Sequence, residues 1–239
     1  MKRYLNRQDR KLNPKDIENL SCFFYDEKNG LPATVFSLFP LSFKRHCVQV
    51  GTVAGLIALQ VPEECLPQSM TLDEYANAVR YGSLYHDIGA FLVYNQESMY
   101  PSAGARFLRE QISERKIPAE SRRIILETVL HYGERHDGQG YPDRLSGGDI
   151  PLHAAICAIS NAIDETVSAN HSLFYDPFEK LKDTILKDKN TKFSQQALEC
   201  FLSSYSNILY LYRCWREAPP FWNNRNIKPL ERPMSQAIG

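Results

Sequence analysis

The sequence predicts an all-α fold, and three observations support that prediction. Apolar residues recur at helical spacing in several long segments, such as 124–130, which holds Ile124, Ile125, Val129 and Leu130. Prolines and glycines separate these segments from one another. The sequence has no period-2 alternation of useful length, which would indicate strands. Helical periods of this kind are typical of domains in which helix packs on helix.

The composition predicts one soluble domain with modest extensions. The chain has 239 residues, and its 28 Lys and Arg balance its 28 Asp and Glu. A chain with no net positive charge does not attract nucleic acid or an anionic membrane by its overall electrostatic field, and we expect neither as a partner. The six cysteines lack C-x-x-C spacing, and no run approaches about eighteen apolar residues. We therefore expect reduced thiols in a cytoplasmic protein.

The N-terminal part is predicted to contain one short helix after a loose basic arm. Asn13 and Pro14 offer a cap and a first helical residue, and this helix should run to about Tyr25. Pro32 and Pro40 then bound an apolar stretch that is too short for a long helix. We interpret that stretch as a connector packed on the body of the domain.

Two further helices follow the connector. Ser42 is a candidate N-cap for a helix that ends before Pro62, and its apolar residues cover most of its circumference. Such a helix is buried on several sides. Residues 71–74 resemble a capping box, which opens a second helix. The pattern places His86 and Asp87 near the far end of that second helix.

The remaining elements are also predicted from proline, glycine and apolar spacing. Pro101 should begin a helix, and a proline-rich tail should start at about 219. Further helices are predicted over 118–131, 152–167, 178–187 and 194–215.

Two stretches contain residues suited to catalysis or ligand binding. The first is Leu84-Tyr85-His86-Asp87-Ile88-Gly89, a His-Asp pair in an apolar setting. The second is 131–142, which reads His-Tyr-Gly-Glu-Arg-His-Asp-Gly-Gln-Gly-Tyr-Pro. Imidazole and carboxylate groups are the ligands that Mn, Fe and Zn prefer in proteins. The pair is thus a candidate metal site, and the second stretch is a tight loop after a helix.

Together these motifs resemble the HD superfamily of metal-dependent phosphohydrolases, and within it the HD-GYP branch, from about Phe43 to Tyr205. The resemblance implies a bundle of about seven to nine helices. It places the domain at 42–217, with an N-terminal extension at 1–41 and a tail at 218–239. It also implies cyclic di-GMP, or another phosphodiester, as the ligand, and a role in signal transduction.

The resemblance implies a ligand set that this chain retains only in part. His46, His86 and Asp87 match metal ligands of the pattern, and Asp87 is also the catalytic residue that it implies. Asn161 stands at the position of the last aspartate of the pattern and offers an amide oxygen. One divalent Mn, Fe or Zn ion is the expected cofactor, or none if the site is fully degenerate. The alternative is that His86 and Asp87 simply hydrogen-bond one another in a helix junction.

Several other positions depart from the family pattern. Tyr100 replaces the histidine of a His-Pro motif, and Tyr132 and Gly133 replace a His-His pair. A helical residue turns by about 100°, so we expect His131 to face away from the site. Two cationic groups of the pattern are lost as well, at Ala90 and Ala155. A phosphodiester would then lack the Lys and Arg that usually bind its charge.

The loop keeps the family pattern from Glu134 to Pro142. In the family this loop shapes the mouth of the site and is linked to contacts with diguanylate cyclase (GGDEF) domains. The resemblance thus assigns a loop or partner-binding role to Glu134, Arg135, Asp137, Gly138, Gly140, Tyr141 and Pro142. The alternative is a turn that only joins two helices.

Two main functional hypotheses follow, with a structural scaffold as a third. The first is a weakly active or inactive signalling module that binds a partner or a nucleotide. The second is an active cyclic di-GMP phosphodiesterase with a remodelled mononuclear centre. The aromatic last helix, which includes Tyr205 and Tyr212, is explained by core packing or by a homodimer seam.

Overall fold

The computed structural model describes residues 39–93, 95–112, 117–169, 178 and 180–217. Within these ranges lie seven α-helices and one isolated bridge, between Lys189 and Phe193, but no β-strand. The prediction of an all-α fold is confirmed. The predicted helix at 14–25, most of the connector and the tail lie outside the described residues. The helices are α1 (Leu41–Ala58), α2 (Leu72–Leu84), α3 (Tyr100–Ile112), α4 (Ala119–His131), α5 (Leu152–Ala169), α6 (Leu181–Lys187) and α7 (Gln195–Glu217).

Helix α1 is the centre of the bundle. Every residue from Cys47 to Ala58 is buried, and the helix contacts α2, α5 and α7. This arrangement confirms the prediction of a helix buried on several sides, because apolar residues around its whole circumference can be covered only by several neighbours. None of the described helices is long and apolar enough to cross a membrane.

The beginnings of α1 and α2 agree with the sequence to different degrees. The capping box of α2 is confirmed, since Thr71 Oγ1 accepts a hydrogen bond from the Glu74 N–H at 3.3 Å. The Glu74 carboxylate accepts the Thr71 N–H at 2.8 Å in return. Ser42 was expected to cap α1, but that expectation is wrong. Helix α1 already begins at Leu41, directly after Pro40, and no side chain caps it.

The His-Asp pair lies just beyond α2 and not inside it. Helix α2 ends at Leu84, and the chain continues through a 3₁₀ turn at Ile88–Phe91. Gly89 makes this turn possible, because a Cβ atom there would overlap the carbonyl oxygen of Tyr100 at the start of α3. The close backbone contact fixes the pair at the junction of α2 and α3.

The other helix limits lie within three residues of their predicted positions.

Candidate metal centre

Three of the predicted ligands converge on one point. His46 comes from α1, and His86 and Asp87 come from the turn after α2. The Nε2 atoms of His46 and His86 each lie 3.7 Å from Oδ2 of Asp87. The ligand atoms of all three residues lie within 4.8 Å of one another. The fold thus brings together side chains that are 40 residues apart in the sequence.

The His86 imidazole is fixed in one orientation by the backbone. Its Nδ1 donates a hydrogen bond to the carbonyl oxygen of Ser83 at 2.8 Å, so Nε2 keeps its lone pair. The side chain is fully buried, and Nε2 has no hydrogen-bond partner. Burial lowers the pKa of His86, so the ring is held neutral. A neutral imidazole with a free, buried lone pair is suited to metal ligation.

His46 is oriented by Asp164, a residue that the family pattern did not indicate. Its Nδ1 lies 2.8 Å from Oδ2 of Asp164, and Tyr212 donates to the other carboxylate oxygen at 2.9 Å. Burial disfavours the charged imidazole, but the hydrogen bond and charge of Asp164 outweigh it and raise the pKa of His46. Asp164 follows Asn161 by three residues on α5, and that spacing places both on one face of the helix. The spacing was the signal that could have identified it.

Tyr132 takes part in the site as well. Its hydroxyl donates to Oδ1 of Asp87 at 2.5 Å, and its ring makes an edge contact with His86 at 4.8 Å between centroids. Burial and the charge of Asp87 raise the pKa of Tyr132, so the hydroxyl keeps its proton and remains a donor. One oxygen of Asp87 is thus engaged by Tyr132, and the other faces the two imidazoles.

Asn161 lies beside the cluster. Its Nδ2 donates to Glu165 at 2.9 Å, and its buried Oδ1 makes no hydrogen bond. The amide is close enough to His86 to act on the pKa of that ring. An amide oxygen is a weak metal ligand, and here it has no competing donor.

These features fit one divalent ion. Ligand atoms bound at about 2.0–2.2 Å to one ion lie about 3–3.5 Å apart, so the 3.7 Å distances need only a small contraction. Two buried atoms at the site, His86 Nε2 and Asn161 Oδ1, lack partners in the described structure. The charges that act on His46 are the carboxylates of Asp164, Asp87 and Glu165, which favour a cation.

His131 belongs to a different cluster. Its Nδ1 lies 3.6 Å from Oδ2 of Asp143 and 4.0 Å from Oε1 of Glu134, so it faces the loop and not His46. Glu134 is buried and accepts the N–H groups of Asp143 and Leu145 at 2.7 and 3.0 Å. The carboxylate of Glu134 therefore holds the loop together from within.

The other loop residues show how the loop is built. Arg135 and Asp137 form an ion pair at 2.7 Å. Gly138 has a φ of +75°, a left-handed backbone conformation that glycine adopts more readily than residues with a Cβ atom. The peptide bond between Tyr141 and Pro142 is cis. Gly140 is buried and lies against the backbone of Glu134 and Arg135.

The loop is tied to another part of the chain and lies near the predicted metal ligands. The Asp137 N–H donates to the carbonyl of Thr191 at 2.9 Å, in the turn before α7. Tyr141 is half-buried. Burial first, and then the charges of Glu97 and Asp87, raise its pKa. The tyrosine ring lies against Gly133, and the preceding residue, Tyr132, is bonded to Asp87.

His153 lies in the first turn of α5 and is not part of the group of His46, His86 and Asp87. The side chain is buried, and its Nε2 lies 3.0 Å from Oε2 of Glu127. Burial lowers the pKa of His153 even though Glu127 opposes this effect.

Comparison with known proteins agrees with this architecture. The family model of the HD domain matches residues 43–166, just over half of the chain, and that range includes every residue of the cluster. A cyclic di-GMP phosphodiesterase of Thermotoga maritima is 26% identical over 179 residues, which are 71% of this chain and 46% of that protein.

Two proteins of Vibrio cholerae are also similar. A cyclic di-GMP phosphodiesterase is 32% identical over 123 residues, 50% of this chain and 24% of that protein. A 3'3'-cGAMP-specific phosphodiesterase is 30% identical over 88 residues, 36% of this chain and 16% of that protein. The matches span less than half the length of these relatives. The match to the family model confirms the resemblance to the HD superfamily, and the chain belongs to the HD domain family.

Proposed function

We propose that the chain is an HD domain that holds one divalent ion and binds a cyclic dinucleotide, with weak or no hydrolysis, as a signalling module. His46, His86 and Asp87 are the ligands, and the Asn161 oxygen is a weak fourth one. One observation supports this most directly: two oriented imidazoles, of which His86 is fully buried, present their Nε2 atoms to the same oxygen of Asp87. That arrangement has little use in a helix junction that binds nothing.

The ligand class is inferred from the relatives. Proteins that resemble this chain act on cyclic di-GMP or 3'3'-cGAMP. A phosphodiester is an anion, and a bound divalent ion would neutralise part of its charge and lower the pKa of a bound water. Asp87 holds one oxygen toward the two imidazoles, while Tyr132 keeps its other oxygen in place.

Weak turnover is proposed because of the groups that face the phosphodiester. Ala90 and Ala155 stand where the family pattern has Lys and Arg. Loss of one such donor typically lowers the rate by about 10²–10³-fold. The hydroxyl of Tyr132 also engages the Asp87 oxygen that would otherwise be open to a second ion. Both features favour binding over rapid hydrolysis.

The active mononuclear phosphodiesterase is the second candidate. The unpartnered Nε2 of His86 and the intact orientation of both imidazoles favour it. We also propose that the loop around Tyr141 contacts a partner such as a GGDEF domain, since the half-buried ring lies against Gly133, the residue after Tyr132. Loss of GGDEF binding in Tyr141→Ala, with unchanged Mn²⁺ affinity, would support that contact.

Metal content and turnover test the two candidates together. Protein purified without chelators is analysed for metal, and cyclic di-GMP binding and hydrolysis are measured in Mn²⁺ or Fe²⁺. The proposal expects about one equivalent of metal, measurable binding and slow or no turnover. His86→Ala should lose the metal, whereas His153→Gln should retain it, because this buried histidine lies eight residues before Asn161 on α5, about 12 Å along the helix.

Each contrary result has a clear meaning. Fast turnover that disappears in His86→Ala would establish the active phosphodiesterase instead. Protein that takes up no metal even when Mn²⁺ is added would reject both candidates. Two equivalents of metal bound inside the HD domain would contradict the mononuclear centre.

A further inference from the structure

A group of three phenylalanine rings lies next to the metal ligands. Phe39, Phe43 and Phe91 form this aromatic platform, with ring centroids 4.3–5.2 Å apart. Phe43 lies on α1 three residues before His46, and their ring centroids are 6.5 Å apart. Phe91 follows Asp87 by four residues through the 3₁₀ turn, a rise of about 8 Å. The platform therefore borders the candidate metal centre.

Phe91 is packed by its neighbours but is still open to solvent. Phe39 lies against it at an interplanar angle of 33°, and Phe43 makes an edge contact at 73°. Even so, 47% of Phe91 is exposed. An exposed apolar ring beside a ligand site commonly marks a binding surface. A ring held by two others also loses little conformational entropy when a ligand stacks on it.

We propose that Phe91 stacks on a purine base of the cyclic dinucleotide whose phosphodiester lies at His46, His86 and Asp87. This inference rests on the proposed function, because that function supplies the ligand. A base is joined to its phosphate through one ribose, so a base and a phosphate need neighbouring sites. The platform is continuous with the metal centre through the Phe43–His46 contact. Stacking on an aromatic ring binds a base without any charge, which suits a site that lacks the Lys and Arg of the family pattern.

Two substitutions at one position separate stacking from general apolar contact. Phe91→Leu keeps an apolar side chain but removes the ring, and Phe91→Trp enlarges the ring. The matched control is Leu92→Ala, since Leu92 is the next residue and is exposed to almost the same extent, 48%. Affinity for cyclic di-GMP is measured by calorimetry with Mn²⁺-loaded protein, and affinity for Mn²⁺ alone is measured in parallel.

Stacking predicts a specific pattern. Phe91→Leu should bind cyclic di-GMP about fivefold to 150-fold more weakly, the range measured for one base stack. Phe91→Trp should bind at least as tightly as the wild type, and Leu92→Ala should not change the affinity. Mn²⁺ affinity should be the same in all variants, because none of these residues is a ligand.

Other results overturn the inference. If the wild type binds cyclic di-GMP and Phe91→Leu binds it equally well, the platform is not a base site although the proposed function stands. Equal losses in Phe91→Leu and Leu92→Ala would indicate a general apolar surface and not a stack. If Phe91→Leu changes the oligomeric state, measured by sedimentation, and leaves the affinity for cyclic di-GMP unchanged, the surface binds a second copy of the chain. If the wild type binds no cyclic di-GMP, the proposed function fails and this inference fails with it.

Discussion

The hydroxyl of Tyr132 and the carboxylate of Asp87 are joined by a hydrogen bond of 2.5 Å across the interface between α4 and the turn after α2. The bond holds Asp87 with its other oxygen toward both imidazoles. A partner that orients a metal-ligating group typically changes metal affinity by about 10- to 100-fold when it is removed. Tyr132 is therefore a positioning residue for the proposed centre.

Tyr132→Phe should weaken Mn²⁺ binding by about 10- to 100-fold, because Asp87 loses the donor that fixes it. The ring remains, so its contact with His86 and the packing are kept. Mn²⁺ titration by calorimetry measures the change. Unchanged affinity would show that Asp87 is held in place without this hydroxyl.

Asp164→Asn should also weaken Mn²⁺ binding, because an amide cannot match the charge that holds Nδ1 of His46. Tyr212→Phe is the matched comparison, since it removes only the other hydrogen bond of Asp164. That variant should lose about 1 kcal/mol of stability and bind Mn²⁺ nearly as well as the wild type. Equal Mn²⁺ affinities in the wild type and Asp164→Asn would exclude a role of Asp164 in orienting His46.

His153 should make the protein less stable in mild acid. Burial lowers the pKa of native His153 below its unfolded value of about 6.5, so below that pH the unfolded chain binds a proton that the native imidazole does not. The free energy of unfolding therefore falls as the pH decreases through about 6.5 toward the native pKa. In His153→Gln, a hydrogen bond to Glu127 can form without titration.

Urea unfolding of the wild type and His153→Gln at about pH 7.5, 6.5 and 5.5 measures this effect. The wild type should lose more stability than the variant over that interval. The difference isolates His153 from the other histidines, which are present in both proteins. If the free energy of unfolding falls equally with pH in both proteins, His153 does not contribute to the pH dependence.

Gly140→Ala should destabilise the loop by about 1–3 kcal/mol, because its Cβ would overlap the backbone of Glu134 and Arg135. Backbone atoms cannot move aside as the end of a flexible side chain can. Gly148→Ala is the control, since a Cβ there meets nothing within 4 Å. Urea unfolding compares the two, and similar stability in both variants would contradict the close contact.

The sequence predicted features that depend on local pattern. The capping box at Thr71 and Glu74 is a local exchange of hydrogen bonds, and it was predicted correctly. Helical periods in the apolar residues also predicted the all-α fold. The end of α2 was harder to predict, because the local sequence pattern is compatible with a helix that continues through His86 and Asp87. Helix α2 instead ends at Leu84, and Gly89 packs against Tyr100, a residue that the local pattern does not include.

The candidate site was predicted only in part for the same reason. His46, His86 and Asp87 were selected by resemblance, and the fold brings them together. Asp164 and Tyr132 contact residues 118 and 45 positions away. The spacing from Asn161 indicates the helix face of Asp164, but no local pattern indicates that its partner is His46. The roles of the loop residues and the domain limits at 1–41, 42–217 and 218–239 stay predictions.

The bond between the Asp137 amide and the Thr191 carbonyl has a consequence for hydrogen exchange. An amide exchanges with solvent only when its hydrogen bond opens, so Asp137 can exchange only when the loop separates from the turn before α7. The His136 amide, which donates to Lys192, is subject to the same opening. Deuterium uptake at these two amides therefore reports on the fluctuations of a segment more than fifty residues further along the chain.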